Sequence, residues 1–583
     1  MPLLLRETPA HEALADDLDP VLRRILAARG VVDEGSLALD LAGLLPPRAM
    51  LNMDAAVRLL LEMLERQASI MIIADFDADG ATSCALAVSA LRRMGFERVS
   101  YLVPNRFEFG YGLTPEIVEV AAREKPALLL TVDNGIASHA GVARANALGM
   151  QVLVTDHHLP AETLPAAACV LNPNQHGCSF PSKALAGVGV VFYLMSALRA
   201  ALREKGWFAA QGIAEPRMLE YLDLVALGTV ADVVPLDQNN RRLVKHGLRV
   251  IRSGQARPGI AALLEVANRN PPSLAASDLG FVVGPRLNAA GRLQDMSLGI
   301  ECLLSDDPQQ ALQMAGELDQ LNRERKSIET DMSREALALL DALGPGATEE
   351  AALCLYDPSW HQGVIGILAS RIKERFHRPV IVFADAGGET DAAGADMLKG
   401  SARSVPGVHI RDVLDAVATR HPALLSKFGG HAMAAGLSLR REDLASFSAA
   451  FATEVAAMAD PESLRPLRFH DGKLPQQCFN IEFASLLRNT TPWGQHFPEP
   501  CFVGEFAVLQ SRVLSGKHLK FVLQVPGSAD IVDGILFNAS EDLLESSSPQ
   551  AIRALYRLDI NEFRGRQSAQ LLIELAEPLF LSA

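Results

Sequence analysis

The chain has 583 residues, a formal net charge of −15 and 49% hydrophobic residues, a composition typical of a soluble globular enzyme. Its length exceeds what one hydrophobic core can organise, so we expect about three or four domains. The longest apolar stretch, residues 188–198, is too short to span a membrane, and the charged start of the chain does not resemble a secretory signal. We therefore predict a cytoplasmic protein.

The seven cysteines are scattered and form no Cys-x-x-Cys pair, which predicts neither a disulfide framework nor a zinc ribbon. The acidic net charge disfavours a broadly basic surface for nucleic acid. It does not exclude a nuclease, because a metal-dependent nuclease concentrates carboxylates at its catalytic centre. Such an enzyme needs only a narrow positive channel for its substrate.

The first strongly patterned element is the apolar run Ile70–Ala74, which predicts a buried strand of a parallel sheet. Asp75, Asp77 and Asp79 follow it at alternate positions. Unit charges about 4 Å apart repel by roughly 4 kcal/mol at an effective dielectric near 20, so these carboxylates predict a bound cation. A calcium loop of the EF-hand type is rejected, because a helix does not precede the motif and its twelfth position is Leu86.

The same pattern recurs twice downstream. A strand-like run is followed by a carboxylate at residues 127–132 with Asp133, and at residues 150–155 with Asp156-His157-His158. Helix-like stretches lie between the runs, at residues 115–123 and 139–148. This alternation predicts parallel strands whose carboxyl ends converge on one edge of a sheet. A single aspartate at a strand end is usually a turn or cap residue, but three successive instances favour a metal site.

The two imidazoles beside Asp156 give a mixed oxygen and nitrogen ligand set, which suits Mn²⁺, Mg²⁺ or Zn²⁺ better than Ca²⁺. A further carboxylate, Asp232, lies among apolar neighbours at a predicted helix end broken by Gly228, and it needs a partner there. The residues predicted to hold two cations are Asp77, Asp79, Asp133, His157 and Asp232. Paired cations of this kind are used in phosphoester hydrolysis.

The remaining chain predicts a long helix, a second α/β lobe and a β-barrel. The helix starts at Asp306-Asp-Pro308, continues to Leu343 and spans roughly 50 Å at 1.5 Å per residue. The lobe covers residues 350–455, with strands at 351–356 and 380–383. Short alternating runs then predict a small barrel, at residues 502–509, 519–525, 531–537, 556–563 and 569–575.

Two kinds of side chain in the barrel are candidates for a binding surface. A local positive groove is predicted from Arg512, Lys517, Lys520, Arg564 and Arg566. Phe502, Phe506 and Phe521 are either platforms on which the rings of a ligand stack or residues of the barrel core, and the core is the commoner role for each.

The motifs resemble those of the DHH phosphoesterase superfamily and, more narrowly, of the RecJ family of single-strand-specific DNA exonucleases. They are Asp75-Phe-Asp-Ala-Asp-Gly80, Val132-Asp-Asn-Gly135, Asp156-His-His158, Gly228-Thr-Val-Ala-Asp232, Gly284-Pro-Arg-Leu-Asn-Ala-Ala-Gly-Arg292, Trp360-His-Gln-Gly-Val-Ile-Gly366, Gly400-Ser-Ala-Arg-Ser404 and Gly429-Gly-His-Ala432. The resemblance implies an α/β fold with a parallel-sheet DHH domain, a second α/β DHH-associated domain joined by the long helix, and a C-terminal OB-fold barrel. The implied boundaries are an N-terminal helical segment at 1–50, the DHH domain at 51–305, the helix at 306–345, the DHH-associated domain at 346–460 and the OB-fold at 464–583.

The same resemblance implies a 5′-to-3′ exonuclease that uses two divalent cations, Mn²⁺ or Mg²⁺, and releases 5′-mononucleotides during recombination and repair. It implies ligands at the five residues given above, with Asp156 among the catalytic groups and His158 near the scissile phosphate. Asp75 is either a ligand or a residue that orients a ligand. The expected partners are single-stranded DNA, single-strand-binding protein and recombination helicases, with the enzyme itself a monomer.

Residues outside the metal centre are predicted to contact DNA. A close backbone approach and an imidazole point to Gly429, Gly430 and His431, and hydroxyls with a guanidinium point to Ser401, Arg403 and Ser404. Further phosphate contacts are assigned to Arg106, Arg286, Asn288 and Arg292. For Gly429-Gly430 a flexible hairpin is the alternative, and for the isolated arginines a solvated surface position.

Two other functions are weighed against the exonuclease. A DHH phosphodiesterase of small nucleotides is disfavoured by the additional barrel, since a dinucleotide needs no extended platform for a strand. A replication scaffold, the role of relatives that have lost ligands, is disfavoured because every ligand position is filled.

Overall fold

The computed structural model describes residues 2–10, 14, 17–105, 109–343, 350–390, 394–425, 427–545, 549–563 and 565–579. The chain divides into two compact units, and the first comprises Leu3–Asp319 with Phe469–Ala583. The second unit comprises Gln320–Arg468 with Met1–Pro2. The predicted long helix is observed at Pro308–Leu343 and belongs to both units, since the boundary falls after Asp319.

The first unit is built on a five-stranded, all-parallel sheet. In spatial order its strands are Val99–Leu102, Ile70–Ala74, Leu128–Val132, Gln151–Thr155 and Cys169–Leu171. The three inner strands are those predicted from the sequence. Two of them, which start at Ile70 and Leu128, are buried throughout. The two edge strands were not predicted, because one is half-exposed and the other has only three residues. The parallel α/β fold is thereby confirmed.

Helices cover the sheet and extend the unit. The two predicted crossover helices are observed at Pro115–Ala122 and His139–Ala147, close to the expected bounds. The other α-helices of eight residues or more before the long helix are Pro20–Ala27, Met53–Glu65, Ala78–Arg93, Gly187–Glu204, Leu222–Ala231, Gln238–Arg252, Pro258–Val266, Gly284–Leu293 and Ser297–Leu304. The N-terminal segment is helical at residues 20–27 and 34–37 but also contains a short strand, Leu3–Leu5.

The predicted helix break at Gly228 is wrong. The helix Leu222–Ala231 continues through Gly228, and Asp232 occupies its C-terminal cap. The glycine serves close packing instead, because a Cβ at this position would lie 2.3 Å from Thr82 Oγ1 and 2.7 Å from Asp79 Oδ1.

The C-terminal part of the first unit contains the predicted β-barrel, which is closed. Its strands, in barrel order, are Phe502–Leu514, His518–Gln524, Ile531–Leu536, Arg566–Leu579 and Ala551–Phe563. Each matches a predicted run, and most are longer than the run. Phe502, Phe506 and Phe521 lie inside the barrel and are at most 1% exposed, so they form its core. Arg564 lies outside the described residues.

The second unit has its own mixed sheet. Its strands are ordered Lys427–Gly430, Ala434–Arg440, Asp396–Arg403, Val380–Thr390 and Leu353–Tyr356, and only the last pair is parallel. The helices Ile365–Phe376, Ile410–Arg420 and Leu444–Met458 accompany the sheet, so the predicted α/β character is confirmed. Across the described ranges of both units, no helix combines the length and apolarity that a membrane span requires.

Candidate metal centre

The acidic and histidine side chains predicted at strand ends meet at one place in the first unit. Their potential ligand atoms form three overlapping groups, each within 4.8 Å. The groups are Asp75-Asp77-Asp133, Asp79-His157-Asp232 and Asp133-His157-His158. Parallel strands bring most of these residues together because their carboxyl ends share one edge of the sheet. Asp232 joins them from the C-terminal cap of the helix Leu222–Ala231. The sequence prediction that these side chains converge is therefore what the structure shows.

His157 lies between two carboxylates at the middle of this cluster. Its Nε2 atom is 3.1 Å from Asp133 Oδ1 and 3.4 Å from Asp232 Oδ2. Within the described parts of the chain, these two carboxylate oxygens are buried and accept no hydrogen bond. A buried carboxylate oxygen without a donor is costly, and a cation bound at this point would satisfy both oxygens. The residues present therefore fit a divalent metal ion with oxygen and nitrogen ligands.

The cluster is electrostatically strained as an assembly of carboxylates alone. Burial, reinforced by the charges of Asp79 and Asp77, raises the pKa values of Asp133 and Asp232 well above the ordinary range. Burial and the charge of Asp77 also raise the pKa of Asp79 to about 7, although two backbone amides oppose the shift. A bound cation favours the ionised forms and reverses this effect.

Asp79 is held by the start of the helix Gly187–Glu204. The amide of Gly187 donates to Oδ2 at 2.6 Å, and the amide of Val188 donates to Oδ1 at 3.0 Å. Gly187 also admits Asp133, since a Cβ there would lie 2.5 Å from Asp133 Oδ1. Nothing in the sequence indicated this role for the helix start, because Gly187 has no functional side chain and its partners lie far away in the sequence.

Asp77 and Asp75 stand on the strand-to-helix turn. Asp77 caps the helix Ala78–Arg93, and its Oδ1 accepts from the amides of Asp79 and Gly80, each at 3.0 Å. Asp75 is 5% exposed, and its Oδ1 accepts from the amide of Phe76 at 2.7 Å. Because Asp75 also groups with Asp77 and Asp133, both of its predicted roles remain proposals.

Asp156 orients the histidine pair. It is 1% exposed, and its Oδ1 accepts from the amides of His157 and His158 and contacts His158 Nδ1 at 2.7 Å. Burial alone would raise the pKa of Asp156, but the hydrogen bond and charge of His158 lower it. Burial would likewise lower the pKa of His158, and its bond to Asp156 raises it to about 9. These bonds support a positioning role for Asp156, and its predicted place among the catalytic groups stays a prediction.

An aromatic side chain that the sequence did not single out borders the histidine. The Tyr111 hydroxyl is 3.3 Å from His158 Nε2, and its ring lies edge-on to that of Phe76 with centroids 6.0 Å apart. The only sequence signal for Tyr111 was its place in the Gly110-Tyr-Gly112 turn. Arg106, predicted nearby in the sequence, lies outside the described residues.

The predicted DNA contacts on the helix Gly284–Leu293 make intramolecular bonds. Arg286 forms an ion pair with Asp319 at 2.8 Å and donates to the Val282 carbonyl at 2.6 Å. Asn288 Oδ1 accepts from the amide of Ala78 at 2.7 Å and so supports the aspartate turn. Arg292 is half-buried. These contacts point to structural roles for Arg286 and Asn288, and DNA binding by the three residues stays a prediction.

The second unit contains a separate polar site. Arg403 Nη1 donates to Ser401 Oγ at 3.1 Å. The helix Ile365–Phe376 approaches both side chains at Gly366, where a Cβ would lie 2.9 Å from Ser401 Oγ and 3.0 Å from Arg403 Nη2. A hydroxyl, a guanidinium and a helix start are therefore grouped, which is the chemistry that binds phosphate.

The other DNA contacts predicted in the second unit lie in different places. Gly429 lies two strands away from Ser401, because Gly436 pairs with both. Gly430 ends that strand, and the amide of His431 donates to the Ala434 carbonyl at 2.8 Å. Ser404 is different: it is fully buried and donates to the Val408 carbonyl at 2.6 Å. The structure thus places Ser404 in the core, which supports a structural role, and its predicted contact with DNA stays untested.

Three family models match this chain. The DHH family, N-terminal domain, matches residues 69–229, the DHHA1 domain matches residues 349–457, and the RecJ OB domain matches residues 470–575. These matches cover the metal cluster except Asp232, the polar site around Arg403 and most of the barrel.

Full-length relatives and solved structures point to the same family as the three family models. The chain is 54% identical to the single-stranded-DNA-specific exonuclease RecJ of Dickeya dadantii, over 99% of both chains. It is 51% identical to that of Escherichia coli, over 98% of both. Its fold matches the crystal structure of RecJ in complex with Mn²⁺ from Thermus thermophilus with a TM-score of 0.79 at 29% identity, covering 99% of this chain and 80% of that one. The Mg²⁺ complex from the same organism matches with a TM-score of 0.73 at 28% identity, covering 100% and 79%.

Proposed function

Because this chain belongs to the RecJ family, we propose that it is a metal-dependent exonuclease that degrades single-stranded DNA from the 5′ end and releases 5′-mononucleotides. The observation that carries the proposal is the convergence of Asp79, Asp133, His157 and Asp232 around two buried carboxylate oxygens that accept no hydrogen bond from any described residue. An arrangement of this kind serves cation-assisted hydrolysis of a phosphodiester.

The residues proposed to hold two Mn²⁺ or Mg²⁺ ions are Asp77, Asp79, Asp133, His157 and Asp232, with Asp75 as ligand or orienter. Bound there, the cations would supply an activated water and stabilise charge on the leaving oxygen. His158, held by Asp156, would donate a hydrogen bond to the scissile phosphate. The amides of Gly187 and Val188 would keep Asp79 in place during turnover.

One assay tests this function. Single-stranded DNA labelled at either the 5′ or the 3′ end is incubated with the enzyme and Mn²⁺ or Mg²⁺. Labelled mononucleotide should appear first from the 5′-labelled strand, with none in the presence of a chelator. Release first from the 3′ end would overturn the polarity. Hydrolysis of a dinucleotide while the long strand stays intact would favour a phosphodiesterase of small nucleotides.

The polarity is proposed to come from the second unit. Ser401, Arg403 and the start of the helix at Gly366 form a site suited to a terminal phosphate. A site that binds the terminal phosphate fixes which end of the strand is presented for hydrolysis. Ser401 and Arg403 are half-buried, so a phosphate bound there would be partly shielded from water.

Arg403→Ala should weaken use of 5′-phosphorylated ends by an amount like one charged hydrogen bond, roughly 1.5 to 3 kcal/mol. The effect on 5′-hydroxyl ends should be smaller, because they lack the charge that the guanidinium recognises. The measurement is kcat/KM on matched substrates with the two ends. Arg440→Ala is the control, since Arg440 lies on the adjacent strand and is paired with Asp443 at 2.8 Å. Equal losses on both ends would place the phosphate site elsewhere.

The barrel is proposed to bind the strand beyond the metal centre. Arg512 and Lys520 are register partners on neighbouring strands, and Lys520 also pairs with Asp533 at 2.8 Å. Phe537 follows the strand Ile531–Leu536, is 54% exposed and lies edge-on to His518. It replaces the three buried phenylalanines as the candidate for base stacking.

Arg512→Ala should weaken binding of long single strands several-fold and lower the salt-dependence slope by about one, while short oligonucleotides bind as before. The measurement is fluorescence anisotropy with strands of two lengths over a salt series. Arg553→Ala is the matched control, because Arg553 is exposed on the same barrel but paired with Glu505 at 2.9 Å. If both variants behave alike, Arg512 does not contact the strand.

We also propose that the enzyme is a monomer that works in the cytoplasm on recombination and repair intermediates, with single-strand-binding protein and recombination helicases as partners. Membership of the RecJ family supports this assignment.

Two alternative functions are less well supported. The closed barrel disfavours a phosphodiesterase restricted to small nucleotides, and the filled ligand positions disfavour a scaffold without activity.

A further inference from the structure

The loop that follows the last strand of the parallel sheet makes hydrogen bonds to the backbone of the histidine pair. It contains Asn172 and Asn174, which were not singled out from the sequence. The Asn172 side-chain amide donates to the carbonyl of His158 at 2.9 Å. The Asn174 side-chain amide donates to the carbonyl of His157 at 2.5 Å and to that of Lys183 at 3.1 Å. The backbone amide of Asn174 donates to Asn172 Oδ1 at 2.6 Å, so the two asparagines are joined.

The two asparagines and Asp156 together bond the backbone of the histidine pair. Asp156 accepts from the backbone amides of His157 and His158, and the two asparagines donate to the carbonyls of the same two residues. All four backbone polar groups of the histidine pair are thus held by three side chains. Asn172 is fully buried, as expected for an amide whose donor and acceptor are both used.

The two histidines face different parts of the centre. His157 Nε2 lies near Asp133 and Asp232, whereas His158 is held by Asp156 beside Tyr111. Each asparagine bonds the carbonyl of one histidine only. A small rotation of either peptide unit would therefore move one imidazole more than the other.

We infer that Asn174 and Asn172 are positioning residues with separate tasks: Asn174 sets His157 for the cations, and Asn172 sets His158 for the scissile phosphate. This inference rests on the proposed function for the roles of the two histidines. Residues that support metal ligands typically change metal affinity or activity by about 10- to 100-fold when they are altered. Substitution of Asn174 should therefore change Mn²⁺ affinity, and substitution of Asn172 should change kcat.

The test compares Asn174→Ala, Asn172→Ala and the control Asn146→Ala in the full-length protein. Asn146 is a matched control because its side-chain amide donates to the Ala166 carbonyl at 2.8 Å in the same unit, at an exposed position. Mn²⁺ affinity is measured by calorimetry without DNA, and kcat and KM are measured on 5′-phosphorylated single strands at saturating Mn²⁺.

Asn174→Ala should raise the Mn²⁺ dissociation constant about 10- to 100-fold and leave kcat at saturating Mn²⁺ within about threefold of wild type. Asn172→Ala should lower kcat about tenfold or more, with KM and Mn²⁺ affinity nearly unchanged. Asn146→Ala should change neither. If Asn172→Ala does not fold, Asn172→Ser replaces it, and Asn174→Gln should restore part of the lost Mn²⁺ affinity because it keeps the amide donor.

A merely structural role would lower the melting temperature of both variants and leave Mn²⁺ affinity and kcat of the folded protein at the control values. That result, or the same change in both variants, would overturn the inference. Failure of the proposed function looks different: the wild type would bind Mn²⁺ but release no mononucleotide, and the effect of Asn174 on Mn²⁺ affinity would still be measurable.

Discussion

Asp133→Asn should abolish cleavage, lowering turnover by about a thousandfold or more, while the metal-free protein stays folded. Asp133 is 2% exposed, and its buried Oδ1 lies 3.1 Å from His157 Nε2 and accepts no hydrogen bond within the described part of the chain. Burial and the neighbouring carboxylates raise its pKa, so its charge destabilises the metal-free fold. Removing that charge relieves repulsion in the metal-free state and removes a proposed ligand from the cations.

The measurement pairs turnover with thermal melting, with and without Mn²⁺. Wild type should gain stability with Mn²⁺, since a ligand that binds only the folded state stabilises it. Asp133→Asn should melt at or above the metal-free wild type and gain little from Mn²⁺. Asp237→Asn is the control: Asp237 caps the helix Gln238–Arg252 and accepts from Ser182 at 2.6 Å, so its loss should cost stability and spare turnover. Near-normal turnover by Asp133→Asn at saturating Mn²⁺ would remove Asp133 from the ligand set.

His158→Ala should lower kcat about 100- to 1000-fold while keeping most of the Mn²⁺ affinity, as expected for loss of one donor to developing negative charge. The reason lies in its contacts. Burial would lower the pKa of His158, but the hydrogen bond to Asp156 raises it to about 9. In the metal-free protein this favours the protonated imidazole, and its Nε2 atom would donate to a phosphate oxygen.

Calorimetry with Mn²⁺ and single-turnover cleavage separate the two possible roles of this histidine. Loss of both cations together with His158 would make it a ligand and contradict the phosphate assignment. His176→Ala is a suitable control, because His176 is exposed in the loop beyond Asn174 and should change neither quantity.

The metal cluster was largely predictable from the sequence, because its geometry follows from strand ends. Asp133 and Asp156 each follow a buried apolar run, and parallel strands necessarily bring such residues to one edge. The five barrel strands were predictable for a similar reason, since alternation identifies a strand by itself. Their lengths were underestimated where outward-facing positions, such as Leu509 and Val513, carry apolar residues that obscure the alternation.

The parts that the sequence did not predict depend on contacts between distant residues. Gly228 was interpreted as a helix breaker, although its purpose is the close approach of Asp79 from another helix. Asn172 and Asn174 were missed because their partners are histidine carbonyls, which leave no signal in residue type. Ser404 was assigned to DNA by its neighbours in sequence, but alternation along the strand and turn sends its hydroxyl into the core.

Anomalous diffraction from crystals grown with Mn²⁺ shows directly whether the cluster holds two divalent cations. We expect two manganese peaks per chain, both within coordination distance of the set formed by Asp77, Asp79, Asp133, His157 and Asp232, with His157 bound through Nε2. A single peak, or peaks bound only by carboxylates elsewhere on the surface, would contradict this expectation.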